Sequence, residues 1–273
     1  MLSKRILTAV IGIPVAIYLI NTGGFMFVTA ISILAVIAWD EYKRMMAAKG
    51  ICVWSSIGFI GVLLSLGCAW VGNSQESVMV IFSIVFLTLM RTVVSQAEFK
   101  VTDAAFTVLG TLYISIPFSH LILLRFTEQY DYIHTALGTL STGAAYLWLA
   151  FVGTWASDTF AYFVGSCVGK RKLCPSISPG KTFEGAAGGL AGSIIGVAAL
   201  GALFGLPLYH TLFLGILVGI VAPFGDLVES ALKRFTGVKD SGNILPGHGG
   251  VLDRFDAVMF SAPVVYYYIK AFI

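Results

Sequence analysis

ILTAVIGIPVAIYLINTGGFMFVTAISILAVIAW, residues 6–39, carries no charged side chain. Its one cluster of turn-forming residues is Asn21-Thr22-Gly23-Gly24. Run as a single helix, the stretch would extend about 51 Å, well past a hydrocarbon core of about 30 Å. The expected structure is therefore two short membrane spans, near 6–20 and 25–39, joined at the Asn-Thr-Gly-Gly break. Lys4 and Arg5 precede the first span, as they would in a secretory signal. No small-x-small cleavage site stands out and a second span follows at once, so the first is read as a retained helix.

The rest of the chain repeats this pattern. Of 273 residues, 58% are hydrophobic and only 11% charged, against about 25% charged in soluble domains. Further spans are expected near 53–72, 77–94, 105–125, 143–165, 184–205, 208–225 and 252–272. Asp40 to Gly50 is read as a polar loop, and Asn73-Ser74-Gln75-Glu76 and Leu206-Pro207-Leu208 as tight turns. The fold class is all-α: a polytopic membrane protein with about nine transmembrane helices. Residues 1–273 form one integral membrane domain, with apolar N-terminal helices over 1–140 and catalytic helices and loops over 141–273. A net charge of +3 gives nucleic acid binding no support. Cys52, Cys68, Cys167 and Cys174 form no C-x-x-C pair and read as small hydrophobes.

Charge placement orients the spans. With the N-terminus inside, 15 of the 17 basic residues fall on the inner side, leaving only Arg125 and Lys270 outside. That asymmetry is the positive-inside pattern. It puts the polar stretches 166–183 and 226–256 on the cytoplasmic face of the cytoplasmic (inner) membrane, where a soluble nucleotide would be.

The second of those stretches carries the chemistry. Ser230 to Asp256 reads SALKRFTGVKDSGNILPGHGGVLDRFD, with Asp226 and Glu229 just upstream. Charges beside a bilayer core are costly unless paired, ion-bound or hydrated, so such a cluster marks a candidate site. On a continuing helix, Asp226, Ser230 and Lys233 share one face, as do Asp253 and Asp256 at the start of the last span. Three carboxylates from two helix ends suit a hard cation, and Mg²⁺ is typically held by one or two carboxylates plus substrate phosphates. Lys233, Arg234, Lys239 and Arg254 supply positive charge for phosphate oxygens. The glycines of Pro246-Gly247-His248-Gly249-Gly250 permit close backbone approach to a ligand. Together these are parts for phosphoryl or nucleotidyl transfer.

These positions are similar to the signature of the phosphatidate cytidylyltransferases, or CDP-diacylglycerol synthases. Ser230, Lys233, Arg234, Lys239, Asp240, Gly242, Pro246, His248, Gly249, Gly250, Asp253, Arg254 and Asp256 stand in register with it. Ser178-Pro179-Gly180-Lys181-Thr182-Phe183-Glu184-Gly185 resembles the family's Ser-Pro-x-Lys-Thr-x-Glu-Gly element. The resemblance implies that CTP and phosphatidic acid give CDP-diacylglycerol and pyrophosphate, in a homodimer set in the lipid bilayer. It implies a catalytic set of Lys233, Arg234, Lys239, Asp240, His248 and Arg254, with Asp240 orienting Lys239 and His248 touching substrate. Asp226 and Asp253 would hold Mg²⁺, and Asp256 would support them or bind a second cation. Ser178, Lys181, Thr182, Glu184, Ser230, Gly249 and Gly250 would bind substrate.

Other features are weighed beside that reading. Asp158, inside a span, either lines the substrate cavity or makes a structural bond to another helix. Ser-Pro-Gly-Lys-Thr lacks Walker spacing, and Lys181 with Thr182 reads equally as an anion site or a capped helix start. Lys170-Arg171-Lys172 is explained by orientation or anionic lipid. Gly188, Gly192 and Gly196 read as a helix-packing stripe, and His120, His134 and His210 as incidental. Two rivals use similar parts: a CTP-dependent lipid-alcohol kinase and an ion-coupled secondary transporter. Against the transporter, the charges gather at one face and no inverted repeat is apparent.

Overall fold

The computed structural model describes residues 2–95, 98–128, 131–135, 138–244 and 249–273. Nine helices are present among these residues: α1 (Leu2–Thr22), α2 (Gly24–Ala48), α3 (Ser55–Val71), α4 (Ser74–Val94), α5 (Val101–Phe126), α6 (Thr142–Val168), α7 (Phe183–Leu203), α8 (Leu208–Thr236) and α9 (Leu252–Phe272). Two small antiparallel hairpins accompany them, β1 (Tyr132–Thr135) with β2 (Gly138–Ser141) and β3 (Lys172–Cys174) with β4 (Ser178–Thr182). The protein is all-α apart from these.

The break between α1 and α2 falls at Gly23 and Gly24, whose φ angles of 65° and 60° suit glycine. Among the described residues, five helices, α2, α4, α5, α7 and α8, are long and apolar enough to cross a membrane. The 17-residue α3 is apolar but shorter. The composition of α9 is diluted by Asp256, Lys270 and Tyr266–Tyr268. The protein is an integral membrane protein.

The chain packs as two compact units. The first comprises Met1–Leu123 with Leu232–Arg254, the second Leu124–Ala231 with Phe255–Ile273. In the first unit the expected polar loop from Asp40 is instead the last two turns of α2. Tyr42, Met45 and Met46 are fully buried there and continue the apolar face, while Asp40 pairs outward with Lys43 (2.7 Å) and Arg44. Tyr42 donates its hydroxyl to the Phe106 carbonyl at 2.9 Å, tying α2 to α5. Asp103 and Thr107 at the start of α5 accept the Cys52 and Trp54 amides at 2.8 and 2.9 Å, fixing the link into α3.

In the second unit α7 lies against α6 through its small residues. A Cβ added at Gly188 would come 2.6 Å from Val164, and one at Gly192 within 2.5 Å of Phe160 and 2.8 Å of the Ala156 carbonyl. Gly215 and Gly219 of α8 meet the backbone of α7 at Ile194 and Leu190 in the same way. Thr154 of α6 donates to Ser261 of α9 at 3.1 Å. Gly225 lets α8 cross α9 beside the Asp256 carbonyl and Ala257. Backbones this close gain dispersion contacts that side chains would prevent, which is how membrane helices associate without a hydrophobic drive.

Gly192→Leu should therefore destabilise the protein by about 1–3 kcal/mol through overpacking. The same change at Ala191, which faces outward, should not. Thermal unfolding in detergent, followed by tryptophan fluorescence, compares the two.

Candidate active site

The second unit holds a cavity of about 440 Å³ lined by Ser157, Asp158, Tyr162, Ser178, Lys181, Thr182, Pro223 and Asp226, among others. Three elements build it. Helix α6 supplies Asp158, the β3–β4 hairpin supplies Ser178 and Lys181, and α8, which runs beyond the expected end at 225, supplies Asp226. The hairpin pairs Lys172 with Thr182 and Cys174 with Ser178.

Lys181 and Asp226 form the centre of the cavity's charge. Lys181 Nζ lies 2.8 Å from Asp226 Oδ2 and donates to the Pro223 carbonyl at 3.3 Å. Ser230, one turn along α8, donates its hydroxyl to Asp226 Oδ1 at 3.2 Å. Asp158 lies within electrostatic range of both Asp226 and Lys181. Two carboxyl groups and one ammonium thus share the pocket. Among the described residues no three His, Cys, Asp or Glu side chains gather as a metal cage. A pair of carboxylates facing a cavity suits Mg²⁺, which keeps waters and substrate oxygens in its remaining positions.

Neighbouring residues hold the frame. Thr182 caps α7, its Oγ1 accepting the Gly185 amide at 3.1 Å. Glu184 accepts the Lys170 and Arg171 amides at 3.0 and 3.2 Å, which anchors the turn into β3. Asp256 Oδ1 accepts the Ala257 amide at 2.7 Å.

The first unit carries the other polar cluster. Lys233 Nζ lies 2.7 Å from Asp253 Oδ1, and both side chains are largely covered (14% and 11% exposed). Asp253 Oδ2 accepts from the Ser241 amide (2.9 Å), the Ser241 hydroxyl (2.8 Å) and the Gly250 amide (2.8 Å). Phe235 stacks on Phe106 at 5.2 Å and seats the end of α8 against α5. Arg234, Lys239, Asp240 and Arg254 are exposed. His248 lies outside the described residues, and with it Pro246 and Gly247.

Two residues of this cluster, Ser241 and Glu41, escaped the sequence reading. Glu41 of α2 is 1% exposed. Its Oε1 accepts the Val251 amide at 2.9 Å, and its Oε2 the Leu252 amide at 3.0 Å and the Ser241 hydroxyl at 3.3 Å. The available signal was periodicity. Glu41 follows Ala38 by three residues and precedes Met45 by four, so on a continued helix it falls on the buried stripe. The glycines of the signature have a matching reason. A Cβ at Gly242 or Gly250 would lie 2.5 Å from Glu41 Oε1, and one at Gly249 (φ 81°) 2.6 Å from Asp253 Oδ2. They allow approach, as expected, but to the protein's own carboxylates.

Of the expected site residues, Asp158, Ser178, Lys181, Thr182 and Asp226 line one cavity, with Ser230 bonded to Asp226. Lys233, Asp253, Gly249 and Gly250 form the second cluster. Glu184 and Asp256 bond to backbone.

Comparison with known proteins gives a match to the Cytidylyltransferase family over residues 3–272. The chain is 36% identical to a phosphatidate cytidylyltransferase of Bacillus subtilis, covering 99% of this chain and 98% of the other. It is 38% and 39% identical to phosphatidate cytidylyltransferases of Staphylococcus saprophyticus and Staphylococcus haemolyticus, covering 96% of each chain in both pairs.

Asp253→Asn leaves one oxygen for bonds that now use two, whichever way the amide turns. It should cost about 1–3 kcal/mol and speed hydrogen exchange at Ser241 and Gly250. Exchange mass spectrometry over peptides spanning 239–254 reads this directly.

Proposed function

Because the chain belongs to the cytidylyltransferase family, we propose that it transfers the cytidylyl group of CTP to phosphatidic acid, forming CDP-diacylglycerol and pyrophosphate in phospholipid biosynthesis. The observation that carries this reading is end-to-end likeness to phosphatidate cytidylyltransferases, with the signature residues all in place.

The chemistry follows from the charges involved. A phosphate oxygen of the lipid attacks the α-phosphorus of CTP. The bond from that phosphorus to the bridging oxygen of the β-phosphate breaks, and pyrophosphate leaves. The lipid phosphomonoester is already anionic at neutral pH, so no general base is required. The task is to bring two anions together and to neutralise charge on the leaving group. Lys181 supplies a cation inside the cavity, held by Asp226 and the Pro223 carbonyl. Lys233, Arg234, Lys239 and Arg254 are the proposed phosphate clamps, with Asp240 orienting Lys239 and His248 contacting substrate. Asp226 is the proposed Mg²⁺ ligand best supported by its surroundings, since Asp158 faces the same cavity. Asp253 and Asp256 complete the proposed carboxylate set and are tested one at a time. Bound Mg²⁺ would screen the triphosphate and polarise its phosphoryl oxygens.

The same reading sets the protein in the cytoplasmic membrane with nine spans. The inner-side excess of Lys and Arg supports an N-terminus and site facing the cytoplasm. A homodimer belongs to this proposal, and chemical cross-linking in native membranes tests it.

Purified protein in phosphatidic acid vesicles, given CTP labelled at the α-phosphate, should move label into lipid with one pyrophosphate released per transfer. Pyrophosphate without labelled lipid, or phosphorylation of an added lipid alcohol from the γ-position, would refute the reading. EDTA should abolish turnover and Mg²⁺ restore it. Asp226→Asn should lower kcat at least about a hundredfold with thermal unfolding little changed, and a folded Asp226→Asn enzyme with normal turnover removes Asp226 from the site.

A further inference from the structure

The carboxylate of Glu41 lies far from the signature in sequence yet is built into it. Both of its oxygens are used. Each accepts a backbone amide where α9 begins, from Val251 just before it and from Leu252, its first residue, and one also meets Ser241. Ser241 in turn gives its amide and hydroxyl to Asp253, whose other oxygen holds Lys233 at 2.7 Å. Glu41, the backbone at 250–252, Asp253 and Lys233 are thus linked without a gap, every step a hydrogen bond or a peptide bond within the first unit. Gly242 and Gly250 have no room for a side chain because Glu41 fills the space.

From this geometry we infer that Glu41 is a positioning residue for cytidylyl transfer: it fixes the start of α9, and through it the Lys233–Asp253 pair. The inference rests on the reaction proposed above.

The chemistry explains why a carboxylate is needed. Two amides at a helix N-terminus point at two separate oxygens, and the helix dipole favours negative charge there. An amide in the same place would turn an NH₂ toward one of those N–H donors. The side chain would then swing away or α9 would shift. A shift on the order of 1 Å in groups that handle the reacting phosphates costs about a hundredfold in rate. A cap that served stability alone would lower the folded fraction and leave the folded enzyme's rate intact.

The test is kcat per folded enzyme for Glu41→Gln, in the vesicle assay with CTP and phosphatidic acid, with the folded fraction taken from size-exclusion and thermal unfolding. The expected result is a fall in kcat of about 10–100-fold, a far smaller change in KM for CTP, and faster exchange of the Val251 and Leu252 amides. Wild-type kcat in the folded fraction overturns the inference. Gly242→Ala decides the matter if Glu41→Gln does not fold. It crowds the same oxygen while leaving the charge in place, and wild-type kcat per folded Gly242→Ala enzyme, or no folded enzyme from either variant, likewise overturns it. An inactive wild-type protein refutes the reaction itself, whereas an active wild type with a fully active Glu41→Gln refutes Glu41 alone.

Discussion

A negative charge placed among apolar helices needs hydrogen-bond donors or it does not stay. The first unit answers this with backbone. Glu41 and Asp253 together accept the amides of Ser241, Gly250, Val251 and Leu252 and the Ser241 hydroxyl. The same bonds that make the carboxylates tolerable tie Ser241 to the start of α9. Glycine is required at 242, 249 and 250 because the oxygens come so close, and α9 begins at Leu252 because its leading amides are already taken.

The second unit solves the same problem with a side chain. Asp226 sits on α8 against Lys181 from the β3–β4 hairpin, with Ser230 filling the other oxygen. This pair is partly open to the cavity, unlike Glu41. Its salt bridge is therefore modest in stability. The glycine-lined contact between α6 and α7 holds Asp158 and the hairpin in a fixed relation, since neither helix can rotate without driving Gly192 into Phe160.

Much of this was legible in the sequence. Apolar runs mark the helices, and most of their ends, because burial of the backbone in lipid leaves helix as the cheapest conformation; but Ser74-Gln75-Glu76, expected in a turn, form the start of α4 with Asn73 as its cap, and α2 and α8 run on past their expected ends to Ala48 and Thr236. The stripe at Gly188, Gly192 and Gly196 showed its packing role through period alone. What hid was tertiary. Asp40 to Arg44 looks like a loop because charge density rises there, yet Tyr42, Met45 and Met46 continue the buried face and carry Glu41 inward. The β3–β4 hairpin hid for a similar reason: three and five residues around a turn give too little alternation to register. Ser178 and Lys181 stood out through the resemblance of Ser178–Gly185 to the family element, not through any sign of a strand, and both line the cavity.

The size of the cavity that holds Lys181 and Asp226 limits how much of a lipid substrate it can enclose. At about 440 Å³ it lies toward the small end of ligand sites, roomy for a polar headgroup and part of a nucleotide but not for two fatty chains. On the proposed reading only the headgroup and the nucleotide phosphates enter the cavity, and the tails stay in the surrounding lipid.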